Sequence, residues 1–178
     1  MFLKRAHKRT TVTKLFSYSF SLTPPAPPVP KLHEYAYSEF ALSLPSHWRQ
    51  VPTTTDNALN FHSQELSASI TISADFYEIP EPKAQAIADH CLSSRLNALE
   101  LVTPGRVQVV QRTVKPHSGG VGLELSLVAE VPGEHVYLYL GYVTPRKVLN
   151  FTLVCPPGGQ AAAKLYNETV PNFRPRLP

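Results

Sequence analysis

The chain has 178 residues, 43% of them hydrophobic, which is enough for one domain with a sizeable core. Its net charge of +4 is uneven, because residues 1–31 hold six basic and no acidic residues while residues 32–178 hold 11 basic and 13 acidic residues. The slightly acidic larger part excludes the basic surface that a nucleic-acid partner needs. Two cysteines in a chain of this length exclude a disulfide framework.

Residues 1–31 are basic and then rich in proline, which predicts a disordered or polyproline-like arm ahead of a single domain over residues 32–178. No apolar run reaches the ~18 to 20 residues that span a bilayer, since Leu15–Leu22 is short and interrupted by serines. We therefore expect a cytoplasmic protein without an integral membrane segment. If the arm is a targeting segment, a periplasmic or membrane-associated location is the alternative.

The first half of the domain is typical of strands followed by a helix. Phe40, Leu42 and Leu44 recur at every second position, which predicts a strand with one buried face. Pro82 suits a first helical turn, and Thr103-Pro104-Gly105 suits the end of that helix. The predicted elements are, in order, a strand within residues 35–44, a hairpin of residues 59–64 and 67–76, and a long helix from about residue 82 to 101.

The second half begins with a predicted strand over residues 106–114. Residues 121–154 hold three apolar runs separated by Val131–Glu134 and Thr144–Lys147, which predicts an antiparallel meander. A short helix with an apolar stripe over residues 162–170 closes the domain. Because the strands are grouped between the helices, we predict an α+β fold in which an antiparallel β-sheet is flanked by helices.

Catalytic and metal-binding patterns are not found. The seven histidines include no pair at i, i+4 spacing, and His90 and Cys91 diverge by ~100° on a helix. Gly119–Gly122 lacks the spacing of a dinucleotide fingerprint, and Glu124 and Glu130 lie about 20 Å apart along one strand, too far for glycosidase chemistry. We therefore predict a protein that is not an enzyme and that has no cofactor and no metal.

The meander has a second, semi-apolar face. In residues 136–143, Leu138 and Leu140 alternate with Tyr137 and Tyr139, and the tyrosine side is shared with hydroxyl and amide side chains of the next strand. Two interpretations stay open. The face is either solvated or covered by the C-terminal helix, or it is a surface that binds an apolar guest.

These patterns resemble the PsbP/DcrB superfamily and, within it, the Eag-type chaperones of bacterial type VI secretion. The resemblance rests on Leu42–Pro45 followed by Trp48, on Ile70–Ser73 before the helix, on the spacing of the meander, and on Phe173–Arg176 after the closing helix. It implies a non-enzymatic α/β/α sandwich. In Eag-type chaperones the sheet face holds hydrophobic N-terminal helices of effectors, and homodimers are usual.

The resemblance covers residues 33–178 and implies a chaperone or adaptor that shields hydrophobic helices of a secreted effector. The alternative is an assembly or structural subunit of a membrane-associated complex. The partner is then a protein with an exposed apolar segment. The sheet-face positions that the resemblance assigns to this partner are Ser126, Val128, Tyr137, Tyr139, Asn150 and Thr152, with Gln64 and Thr71 as weaker candidates.

Overall fold

The computed structural model describes residues 31–53, 56–119 and 121–177, so the predicted arm of residues 1–31 lies outside the described residues except for Lys31. The order of strands, helix, strands and helix confirms the α+β prediction. The elements are β1 (Leu32–Ala36), β2 (Phe40–Pro45), β3 (Arg49–Val51), β4 (Ala58–Ser63), β5 (Ala68–Phe76), α1 (Glu81–Val102), β6 (Gln108–Pro116), β7 (Leu123–Val131), β8 (His135–Thr144), β9 (Lys147–Cys155), α2 (Gly159–Thr169), a 3₁₀ turn (Val170–Asn172) and β10 (Phe173–Pro175).

Two antiparallel sheets form the scaffold. The large sheet has seven strands in the order β3-β4-β5-β9-β8-β7-β6, and the small sheet has three in the order β1-β2-β10. Helix α1 packs on one face of the large sheet, over β6, β7 and β8. The small sheet and α2 cover the other face, so the large sheet is the middle layer.

Each face of the large sheet has its own hydrophobic core. The core under the small sheet and α2 joins residues such as Leu42, Leu140 and Phe151, all 5% exposed or less. The core under α1 is smaller and joins Leu92 to Leu127 and Tyr139. Strand β8 contributes to both cores, which explains why neither of its faces is strongly polar.

The structure corrects the predicted strands at two places. The predicted first strand is divided into β1 and β2 by a turn closed by the Tyr37 backbone N–H, which donates to the Phe40 carbonyl at 2.9 Å. Strands β3 and β10 were not predicted, because three residues are too few to show a periodic pattern. Strand β10 nevertheless places Phe173 in the core, where it lies 4.9 Å from Phe151 between ring centroids.

A buried ion pair joins the two sheets. Lys147, 8% exposed, begins β9 and forms an ion pair with Glu39 in the turn between β1 and β2. Its Nζ also donates to the backbone carbonyl of Arg176 at 2.8 Å. Both partners lie at the same end of the small sheet, where the Arg176 backbone N–H donates to the Glu39 carbonyl at 2.8 Å, so Lys147 fixes that end against the large sheet.

We expect Lys147→Met to lower the free energy of unfolding by about 2–4 kcal/mol, because the substitution leaves a partly buried carboxylate without its cation. Glu39→Gln keeps an acceptor for Nζ and is expected to cost about 1–2 kcal/mol. Lys164→Met is the matched control, since the exposed Lys164–Glu168 pair at 3.8 Å contributes less than about 0.5 kcal/mol. Urea unfolding measures all three; equal losses for the two lysine variants would contradict the joining role.

Alkaline unfolding is expected to depend on Tyr142, whose pKa burial raises to about 12. An unfolded tyrosine ionises near pH 10, so between about pH 10 and 12 the unfolded chain binds fewer protons and stability falls as the pH rises. Tyr142→Phe removes this loss, about 1–2 kcal/mol by pH 12. At pH 8 the variant should match the wild type within about 0.5 kcal/mol, because the Tyr142 hydroxyl has no hydrogen bond to the described residues. Chemical denaturation at pH 8 and pH 11 tests both statements.

Candidate functional site

The loop between β7 and β8 determines which predicted site residues share a face. Val131 pairs with His135 across a three-residue loop, in which Gly133 has a φ of +78°. Leu127 therefore lies opposite Tyr139, and Val128 opposite Leu138. Directly opposed residues share a face. The prediction that places Val128 and Ser126 on the same face as Tyr137 and Tyr139 is wrong. It assumes a loop that is one residue longer or shorter than the three-residue loop of the structure.

Five of the predicted residues do come together, on the face that carries α1. Tyr139 lies opposite Thr152, and Thr152 lies opposite Thr71 on β5. Tyr137 and Asn150 have the same orientation, since they are two residues from Tyr139 and Thr152 along their strands. We call Tyr139, Tyr137, Asn150, Thr152 and the helical residue Arg95 the Tyr139 cluster.

Tyr139 is the buried centre of this cluster, with 1% of its surface exposed. Its hydroxyl donates to Asn150 Oδ1 at 2.9 Å, and Asn150 Nδ2 donates to Ser73 Oγ and to Asp75 Oδ2, both at 3.2 Å. A Cβ at Gly141 would lie 2.2 Å from the Tyr139 hydroxyl oxygen, so glycine is required there. Tyr139 is thus a fixed structural residue and not an open contact for an apolar guest.

Arg95 is the member of the cluster that sequence reasoning missed. Its Cζ lies 4.1 Å from the centre of the Tyr139 ring, in a cation–π contact. The signal was its spacing on α1: Arg95 follows Leu92 by three positions and Ala88 by seven, and both of these residues belong to the core under α1. A basic residue at a core-facing position of α1 indicates that the core under α1 includes a charged side chain.

The two tyrosines of the cluster and the nearby Cys91 favour their neutral forms. Burial raises the pKa of Tyr139 above its usual value, and Arg95 acts in the opposite direction. Burial likewise raises the pKa of Tyr137 and of the half-buried Cys91 thiol. A thiol with a raised pKa is a poor nucleophile at neutral pH. The cluster therefore offers hydrogen-bond donors and one permanent cation.

Beyond α1, the same face continues over β9, β5 and β4 as an open polar strip. Its side chains bond across the strands: Thr71 Oγ1 donates to Asn60 Oδ1 at 2.9 Å, and His62 Nδ1 lies 3.1 Å from Ser69 Oγ. The outer members are exposed. Gln64 does not join them, because it lies in the turn after β4 and lines a separate hollow with His47 and Arg49.

Ser126 and Val128 lie on the opposite face, where Val128 lines an apolar groove between α2 and the strands β6–β8. Ser126 Oγ accepts from Gln111 Nε2 at 3.3 Å. We call this the α2 groove; its volume is about 320 Å³. Its lining residues are Val110, Gln111, Val128, Glu130, Val136, Leu138, Gly159, Ala162, Ala163, Tyr166 and Asn167.

A larger cleft of about 650 Å³ lies on the other side of α2, between the helix and the turn after β4. Its lining includes the charged residues Glu65, Lys164 and Glu168. None of the eight predicted site residues lines it. The candidate site is therefore restricted to the Tyr139 cluster and the α2 groove.

Across the part of the chain that the structure describes, no three His, Cys, Asp or Glu side chains group as metal ligands would. No helix in that part is long and apolar enough to cross a bilayer.

Comparison with known proteins identifies the fold. No protein-family model matches the chain, and no curated protein matches its sequence. The solution structure of cyanobacterial PsbP (CyanoP) from Synechocystis sp. PCC 6803 is similar, with a TM-score of 0.59 and 14% identity over 88% of this chain and 98% of that one. A protein of Bacteroides thetaiotaomicron has a TM-score of 0.40 and 14% identity over 78% of this chain and 45% of that one.

At 14% identity the likeness to CyanoP establishes the fold alone. The narrower resemblance to Eag-type chaperones stays a prediction. The chain has a PsbP-like α+β fold, in which an antiparallel sheet is flanked by helices.

Proposed function

We propose that this protein is a non-enzymatic binding module that holds an extended, apolar segment of a partner protein in the α2 groove. The observation that carries the proposal is the groove itself, which presents apolar side chains beside β6, an edge strand that is paired on one side only. Val110, which lines the groove, is 65% exposed. Exposed apolar patches of this kind are typical of interaction sites.

Strand β6 supplies the backbone for an extended partner. It has nine residues and pairs only with β7 within the described sheets, so its outer N–H and C=O groups face away from the sheet. A bulge between Val109 and Gln111 inserts Val110 as an extra residue and turns it towards the groove. A segment added to β6 would form backbone hydrogen bonds and place every second side chain over the groove.

The size of the groove favours an extended segment over a helix. Its volume of about 320 Å³ is at the lower end of the range for pockets that bury a small ligand. A helix with its side chains is about 10–12 Å across and would need a wider surface. A few side chains of an extended chain match the available volume.

Charge in the groove indicates one further property of the partner. Glu130 lies in the lining, and among the described residues it has no ion-pair partner. A carboxylate next to buried apolar surface is stabilised by an opposite charge. We therefore propose an apolar segment that carries one lysine or arginine.

The resemblance adds two narrower versions of this proposal. In one the protein is the cytoplasmic chaperone of a type VI secretion effector. The resemblance implies that it shields hydrophobic helices, whereas the α2 groove would hold a part of the effector that is extended. In the other the protein is an assembly subunit of a membrane-associated complex. Co-purification with the product of a neighbouring gene separates them, because the first requires an effector and the second a membrane protein.

The groove is tested with a fluorescent ten-residue peptide of alternating valine and threonine that has one central lysine. We expect saturable binding, followed by fluorescence anisotropy. Val110→Asp and Ala163→Arg, both at exposed positions of the lining, should weaken it at least tenfold, because each places a charge on the apolar surface. Glu130→Gln should weaken it about threefold and should remove the preference for lysine over glutamate at the central position.

Leu101→Asp is the matched control, since Leu101 is 83% exposed at the end of α1 and does not line the groove. Binding should be unchanged in this variant. Equal affinity of the wild type, Val110→Asp and Ala163→Arg would contradict the proposal, as would equal affinity for the lysine and glutamate peptides.

A further inference from the structure

We propose that Arg95 forms a binding site for an oxyanion, which is either a carboxylate or a phosphate. The site lies where α1 borders the open polar strip. This site lies on the face opposite the α2 groove. It does not depend on the proposed function, so either proposal can fail alone.

The guanidinium of Arg95 is held in place, but its N–H donors are not all matched by hydrogen-bond acceptors. The ring of Tyr139 supports it from below at 4.1 Å, and that ring is itself fixed by Asn150 and by the absence of a side chain at Gly141. The Arg95 Nε is buried and has no hydrogen-bond partner. A buried N–H without an acceptor is unfavourable, so the guanidinium has unmet hydrogen-bonding capacity.

The charge of Arg95 is also not neutralised. No carboxylate of the described residues forms an ion pair with it. Asp75 is near enough to the cluster to affect the pKa of Tyr139, but its Oδ2 accepts a hydrogen bond from Asn150. Arg95 is only partly buried, so the rest of its guanidinium reaches solvent. A planar fork of donors matches the oxygens of a carboxylate or a phosphate.

Neighbouring hydroxyl groups complete the site. Thr152 and Arg95 both lie close enough to Tyr137 to lower the pKa that burial raises in it. Thr152 is partly exposed at the edge of the open strip. Hydroxyls reorient easily, so both can donate to an anion that Arg95 holds. Asp75 opposes binding, which limits the expected affinity to the millimolar range.

The test is a titration of the full chain with sodium acetate and with sodium phosphate, against sodium chloride at the same ionic strength. The ¹H–¹⁵N resonance of the Arg95 Nε–Hε group and the backbone amide of Thr152 are followed by NMR. We expect saturable shifts with a Kd on the order of 1–10 mM for at least one oxyanion, and none with chloride. Tighter binding of acetate would indicate the acidic side chain of a partner as the ligand, and tighter binding of phosphate would indicate a phosphate group.

Variants assign the site. Arg95→Met should abolish the saturable Thr152 shift, and Arg95→Lys, which keeps the charge but not the fork, should weaken binding about fivefold. Asp75→Asn keeps an acceptor for Asn150 and should tighten binding about twofold. Arg112→Met is the matched control, because Arg112 also contacts α1, by donating to Ser93 at 3.3 Å.

The Arg112 variant should titrate like the wild type. A saturable Thr152 shift that persists in Arg95→Met would overturn the proposal, and so would equal shifts with chloride. Circular dichroism of each variant confirms that its fold is intact, and Arg95→Lys remains as the test if Arg95→Met does not fold.

Discussion

Tyr139 pairs with Leu127 of β7 and with Thr152 of β9, and this register fixes which side chains of β8 face each of the two hydrophobic cores. Every side chain of this strand must then fit one of two environments that differ in size and polarity. The core under the small sheet accepts Leu138 and Leu140, and the core under α1 accepts Tyr139. A shift of one residue in this pairing would exchange the two sets, so the register of β8 determines both faces of the sheet.

On the α1 side, burying a tyrosine has consequences that extend over four elements. The hydroxyl of Tyr139 needs an acceptor, which Asn150 supplies from β9, and the amide of Asn150 needs acceptors in turn, which β5 supplies through Ser73 and Asp75. The ring needs space, which Gly141 leaves. Arg95 then rests on the outer surface of the ring. The burial of Tyr139 thus explains the positions of Gly141, Asn150 and Arg95.

Alternation along single strands was readable from the sequence, and it predicted the buried face of β2 but only one of the two buried faces of β8 and β9. The residues of β7 and β8 that oppose each other could not be predicted, because the turn over Val131–Glu134 allows loops of different length. One residue more or less in the loop places Val128 on the opposite face. Arg95 was missed for another reason. Its spacing on the apolar stripe of α1 was visible, but the ring that supports it lies more than forty positions later in the chain.

The tyrosines and cysteines of the described residues share one electrostatic character. Each pKa shift resolved among the described tyrosines and cysteines is upward, with burial as its largest cause, so these groups stay neutral at pH 7. A nucleophile or general base needs the opposite arrangement, in which neighbouring charges stabilise the reactive ion. The two proposed sites would both rely on complementary charge, with neutral hydroxyls around the Arg95 cation at one and an apolar groove around the Glu130 carboxylate at the other. The two proposed sites lie on opposite faces of one sheet, so a ligand at one would not displace a ligand at the other.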